Sequence, residues 1–213
     1  MTVKGFLVAF MLGLGTQSPL QRADPGDVDL SHITKLASLG ESYSVGVGAG
    51  DRLGTILDAL DDQGDWSCSR YDRSHPYLVS QDPRLGKHAG KNFQFRACSG
   101  ATIADVLTTQ LPRVDPGQQV IMISSGGNDA ELFNLLNQCI YQFASLMPDK
   151  VQEAIEETKK NDLFGWAADY DFEPLGRGCE DQLRHTANII ASQDFDDMVD
   201  RLINAAKLKL APE

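Results

Sequence analysis

Positive charge is scarce in this sequence. Its 19 Lys and Arg face 30 Asp and Glu, which gives a net charge of −11. A surface of that sign repels phosphate backbones, so no nucleic-acid partner is expected. Long hydrophobic runs are also missing. Past the first 15 residues no stretch reaches the ~18 consecutive apolar residues of a membrane-spanning helix, so no stable membrane anchor is expected. There are four cysteines and four histidines, with no Cys-x-x-Cys pair and no clustered histidines to make a zinc site. The acids Asp58, Asp61 and Asp62 lack the spacing of a calcium loop. No metal and no organic cofactor is implied. Neither an internal repeat nor a linker divides the chain.

The 213 residues suffice for one domain, and the 42% hydrophobic and 23% charged content is that of a globular protein. Lys4 precedes an apolar or glycine run, Gly5 to Gly15, too short to cross a bilayer and suited to a secretory signal. Residues 1–18 are therefore expected to be a signal peptide, residues 19–213 the domain, and the location extracellular. An even number of cysteines in a secreted chain favours two disulfides among Cys68, Cys98, Cys139 and Cys179. Three pairings are open. The sequential one would close loops of about 30 and 40 residues, each contributing roughly 3.5–4 kcal/mol on the chain-entropy argument.

Residues Ile33 to Leu39 read as a strand running into Gly40. Gly46, Gly48 and Gly50 mark a loop that needs unusual backbone angles. Residues 51 to 92 read as a long excursion with a single short helix near His75 to Ser80. Asn92 to Cys98 alternates as a strand does. Thr102 to Leu111 places Ile103, Val106, Leu107 and Leu111 on one helical face. Gln119 to Ile123 is an unbroken apolar run, the mark of a buried parallel strand. A helix from about Asp129 is expected to turn Leu132, Phe133, Leu135, Leu136 and Ile140 inward. Val151 to Lys160 reads as a charged helix, 161 to 178 as irregular, and Cys179 to Ser192 as a helix. A last helix, from about Asp194 to Leu210, carries the stripe Phe195, Met198, Val199, Leu202, Ile203 and Ala206. The alternation of strand, loop and helix implies an α/β sandwich with a parallel sheet. Because the final helix leads to no further strand, the sheet is expected to be incomplete at its C-terminal end.

Three strand-end loops gather where an open α/β sheet binds its ligands. They are Gly40-Glu41-Ser42, Cys98-Ser99-Gly100 and Gly126-Gly127-Asn128-Asp129. A hydroxyl nucleophile needs a sharp turn and donors for the developing oxyanion. Ser42 follows the first strand, Gly100 leaves its amide unobstructed, and Asn128 carries a side-chain amide. These residues suit acyl transfer.

The same three blocks resemble, in order, the GDS, glycine and GxND blocks of the SGNH (GDSL-like) hydrolase family. Ser42 to Gly50, Cys98 to Val106 and Cys139-Ile140-Tyr141 also look like its secreted lipase-type members. The resemblance runs from about residue 33 to 211. It implies a flavodoxin-like three-layer α/β/α fold and hydrolysis of carboxylic esters. The substrate would be a small-molecule, lipid or acylated-glycan ester, and the protein a monomer. Ser42 would be the nucleophile, with its amide, Gly100 and Asn128 forming the oxyanion hole. An acyl- or glycan-binding relative without catalysis, and a fragment without function, are the alternatives.

Two departures stand out. Glu41 replaces the usual Asp before the nucleophile. The family's C-terminal Asp-x-x-His does not occur; the Asp72 to His75 match lies in the excursion and reads as chance spacing. His32, His88 and His185 read as surface residues, His185 on a solvated helix face. Loss of the histidine base costs on the order of 10⁶ in kcat in a serine protease. That is about 8 kcal/mol of transition-state stabilisation. Very weak turnover, or none, is therefore expected of these 213 residues. The pocket walls are expected from residues 43 to 92 and 144 to 178.

Overall fold

The computed structural model describes residues 29–141 and 177–212. The expected signal at 1–18 and the charged helix at 151–160 lie outside the described residues.

Three parallel strands form the sheet: β1 (Leu36–Gly40), β2 (Gln94–Phe95) and β3 (Val120–Ser124), in the order β2-β1-β3. β1 pairs with β3 from Leu36 opposite Val120 to Gly40 opposite Ser124. Every residue of β1 is buried, because both faces and both edges of this strand are covered. The α/β sandwich expected from the sequence is the fold that forms.

Two strands differ from their reading. β3 is half-buried rather than buried, and Ile123 is exposed. It has a strand partner on one side only among the described residues, apart from a parallel bridge between Gln118 and Leu210 at its start. β2 is two residues long, since Arg96 and Ala97 both donate to the Ser38 carbonyl and the regular ladder stops there.

The helices are α1 (Ser42–Val45), α2 (His75–Ser80), α3 (from Ile103–Asp105), α4 (Leu132–Leu136), α5 (Cys179–Ile190) and α6 (Gln193–Lys207). α3 begins with a capping box between Thr102 and Asp105, continues as a π-helix over Val106–Gln110, and ends in a 3₁₀ turn over Leu111–Arg113. α6 is capped by the Ser192 hydroxyl, which accepts from Phe195 N at 3.2 Å. The core unites Ala37 and Leu39 of β1, Ile103, Val106 and Leu111 of α3, and Leu202 and Ala206 of α6. Phe195, Met198 and Val199 pack against it, but Ile203, expected in the stripe, is 43% exposed. It stands on the shoulder of a helix whose core contact is narrower than its apolar face.

The excursion from 51 to 92 does hold α2, with short 3₁₀ turns at Ile56–Leu60 and Gly90–Asn92. Cys68 is bonded to Cys98, which ties the excursion to the glycine-block loop. Cys139 is bonded to Cys179, joining the π-helical turn Asn137–Tyr141 that follows α4 to the start of α5.

Candidate functional site

The end of β1 is set by Gly40. Its φ of +128° is open to glycine and costly for other residues, and a Cβ there would overlap the Ser124 carbonyl oxygen. Gln110, 1% exposed, clamps the same residue from α3. Its Oε1 accepts from Gly40 N at 2.8 Å and its Nε2 donates to Gly40 O at 2.9 Å. The chain then turns sharply into α1, placing Ser42 at the first helical position.

Glu41 caps this turn. Its carboxylate, on a residue only 3% exposed, accepts from Ser42 Oγ at 2.7 Å, from Tyr43 N at 3.1 Å and from Ser124 Oγ at 2.8 Å. The added methylene relative to Asp thus takes one carboxylate from the Ser42 hydroxyl across to the end of β3.

The other two loops come to the same place. Gly100 has φ +84°, and a Cβ there would meet open space. The amides of Ser42 and Gly100 donate to no described residue; for Ser42 this is the orphan donor of a helix start. Asn128 Nδ2 donates to Ala101 O at 2.8 Å, which fixes the amide and leaves its second N–H free. Asp129 accepts from Ile103 N at 2.9 Å, locking this loop to α3. Phe195 of α6 packs on Gly126.

Ser42, Gly100 and Asn128 line one cavity of about 290 Å³ together with Glu41, Tyr43, Ser99 and Gly127. Its apolar wall comes from Leu132, Phe133 and Leu136 of α4. Of the expected wall at 43–92, only Tyr43 lines this cavity among the described residues, and the excursion supplies none of it. The expected wall at 144–178 lies outside the described residues apart from Arg177 and Gly178. Phe133 does not point into the core: it is 72% exposed at the cavity, and Ile140 is exposed as well. The apolar character of Phe133 answers to a concave surface rather than to the sheet.

α4 is held by a polar cluster that the sequence did not reveal. Glu131, in the left-handed region at φ +55°, precedes the helix. Its Oε2 accepts from Gln182 at 3.0 Å and Arg177 at 3.1 Å, and its Oε1 lies 3.1 Å from His185 Nε2. His185 is thus half-buried against a carboxylate, not turned to solvent alone. Burial alone would raise the Glu131 carboxyl, but bonds from Gln182, Asn134 and His185 outweigh it and hold it below its ordinary value.

His75 is exposed at the start of α2, and Asp72 is engaged by Asp51 N at 2.8 Å. Neither lines the cavity. Among the described residues no His, Cys, Asp and Glu cluster is arranged to hold a metal, and no helix is long and apolar enough to cross a membrane.

No family model matches the chain. Lipase 1 of Streptomyces coelicolor is 34% identical over 154 residues, covering 70% of this chain and 50% of that protein. A lipase of Streptomyces rimosus is 36% identical over 121 residues, covering 57% and 40%. The crystal structure of the extracellular lipase from S. rimosus superposes with a TM-score of 0.52 at 26% identity, over 84% of this chain and 56% of that one. Phospholipase A1 from Streptomyces albidoflavus shares the fold, with a TM-score of 0.53 at 21% identity. The chain spans about half the length of the curated relatives it matches.

Proposed function

We propose, from the premise that this chain belongs to the SGNH-type lipase family, that it is a secreted serine hydrolase of carboxylic esters. Ser42 is the nucleophile. Its own amide, the Gly100 amide and the Asn128 side chain receive the oxyanion. Residues 1–18 direct export, and the enzyme acts as a monomer without metal or organic cofactor.

The observation that carries this reading is the shared cavity. The Ser42 hydroxyl faces a space bordered by two backbone amides that donate to no described residue and by a side-chain amide held in place from behind. Donors placed in advance of the reaction stabilise charge only as it develops, and a single one is worth about 2.7–4 kcal/mol. The Leu132, Phe133 and Leu136 wall suits the hydrocarbon part of an acyl group, so lipid or small apolar esters are the proposed substrates.

A fluorophosphonate ester tests the assignment. It should add to the Ser42 peptide, as seen by mass spectrometry, and Ser42→Ala should abolish both the adduct and any weak 4-nitrophenyl butyrate cleavage that the 213 residues retain. Ester turnover that survives Ser42→Ala would overturn it.

A further inference from the structure

We infer that the cavity between β2 and the 51–92 excursion is a second binding site, for a small organic acid with one carboxylate and an aromatic or aliphatic body. This cavity measures about 310 Å³ and shares no lining residue with the Ser42 cavity. Two arginines line it. Arg70, 4% exposed, is fully engaged: its Nε donates to Ala97 O at 2.8 Å, its Nη1 pairs with Asp65 at 2.7 Å, and its guanidinium lies 5.5 Å from the Phe95 ring. Arg96 is half-buried, and its Nε is buried without a partner. Its guanidinium makes no hydrogen bond or ion pair among the described residues. A cation withdrawn from water with nothing opposite it is costly. A chain with 30 Asp and Glu had acids enough to answer it, yet the carboxylate in this lining, Asp65, is already given to Arg70. Burial holds the Arg70 guanidinium below its ordinary value despite Asp65, and the Arg96 charge acts in the same direction.

The lining thus carries two guanidinium groups and one carboxylate, an excess of one positive charge. That excess sets the charge of the ligand. A carboxylate balances it, whereas a phosphate monoester, at about −1.5 to −2, would bring unmatched charge beside Asp65. The planar guanidinium fork fits a carboxylate in two parallel bonds, and Arg96 has its fork unspent. Phe93 and Phe95, with ring centroids 5.4 Å apart, and Tyr77 offer apolar surface to the rest of the acid. A cavity of this size is at the small end for organic ligands, so it takes an acid of one ring or a short chain. The assignment stands whether or not Ser42 is the nucleophile.

The probe is 3-phenylpropanoate, titrated calorimetrically into the 213-residue protein. Wild type should bind it saturably. The uncharged 3-phenylpropanol should not bind, and phenyl phosphate should bind more weakly. Arg96→Met keeps the unbranched stem and removes the charge. It should weaken binding about 10–100-fold, the worth of hydrogen bonds to a charged group. Because Arg96 has no partner to lose, Arg96→Met alone should melt no lower than wild type. The acid should raise the melting temperature of wild type and not that of the variant. Phe133→Ala, which strips the wall of the Ser42 cavity, should bind the acid as wild type does. Absent binding to wild type, equal binding to Arg96→Met, or tighter binding of phenyl phosphate would overturn the inference. So would binding lost in Phe133→Ala and kept in Arg96→Met, which would move the acid to the Ser42 cavity and leave the ester-hydrolase reading standing. An Arg96→Met protein that unfolds, or melts far below wild type, would show that Arg96 serves the fold and would overturn the inference as well.

Discussion

Gly40, Gln110, Glu41 and Ser124 form a small structural unit around the Ser42 hydroxyl. Gly40 makes the turn sterically possible, and Gln110 holds both of its backbone polar groups. Glu41 then links the turn to the end of the neighbouring strand. Gln110 is the member with no chemistry of its own, and its removal isolates the mechanical contribution. Gln110→Ala deletes two buried hydrogen bonds and leaves the Gly40 amide without a partner. Such losses cost about 1–3 kcal/mol for the orphaned group, with about 0.5–1.5 kcal/mol for each bond. Urea unfolding should show Gln110→Ala less stable by about 2–4 kcal/mol with an unchanged slope. A loss under about 0.5 kcal/mol would mean that water replaces the amide. Nothing in the sequence singles out Gln110, because a polar residue near the end of an apolar helical face reads as its solvent edge. By contrast, Ser42, Gly100 and Asn128 were legible: each sits in a short glycine-marked loop directly after a strand pattern, and strand ends in a parallel sheet converge.

At the scale of elements, α4 is where sequence pattern and structure part. A run of Leu132, Phe133, Leu135 and Leu136 has the same hydrophobicity whether it faces the core or a ligand cavity, so periodicity cannot separate the two. What fixes α4 is its tie to α5, through the Cys139–Cys179 bond and the Glu131 cluster. Glu131 gives that tie a pH dependence. Its carboxyl sits below the ordinary value of 4.5 in the fold, so the charged form is favoured by folding. Stability from this source is fully present above 4.5 and is lost as the pH falls through the folded value. Glu131→Gln should therefore be less stable than wild type at about pH 5, and the difference should close on further acidification. Denaturant midpoints of the two proteins across that range check it. A difference that persists undiminished in acid would assign the effect to shape rather than charge. The same cluster explains His185: Asp181, Gln182 and Arg184 beside it suggest solvent, but its partner lies 54 residues away in sequence.

Across the whole molecule, the sequence reading of an α/β sandwich holds because β1 and the two helices behind it carry strong, separate patterns. The places where it slipped are edges. β2 is cut short by a doubled bond to Ser38, and β3 is less covered than its apolar run implies. Whether a strand is central or peripheral depends on neighbours distant in sequence, which hydrophobicity alone does not report. The disulfide pairing had the same character: three connectivities fitted the spacing, and only the positions of 68 beside 98 and 139 beside 179 choose among them.

The innermost position of β1 sets a hierarchy of local opening. Ser42 is attached to the strand with the most complete burial, whereas the wall opposite it belongs to a five-residue helix with two large side chains of its segment in solvent. Segments of low packing open far below the global unfolding free energy, and fully packed strands only near it. In native-state deuterium exchange the amides of Leu36 to Gly40 should be among the last to label, and those of Leu132 to Leu136 should label by fluctuations that leave Ser42 in place. The pocket would then breathe on one side only, with the Ser42 hydroxyl held still on the other.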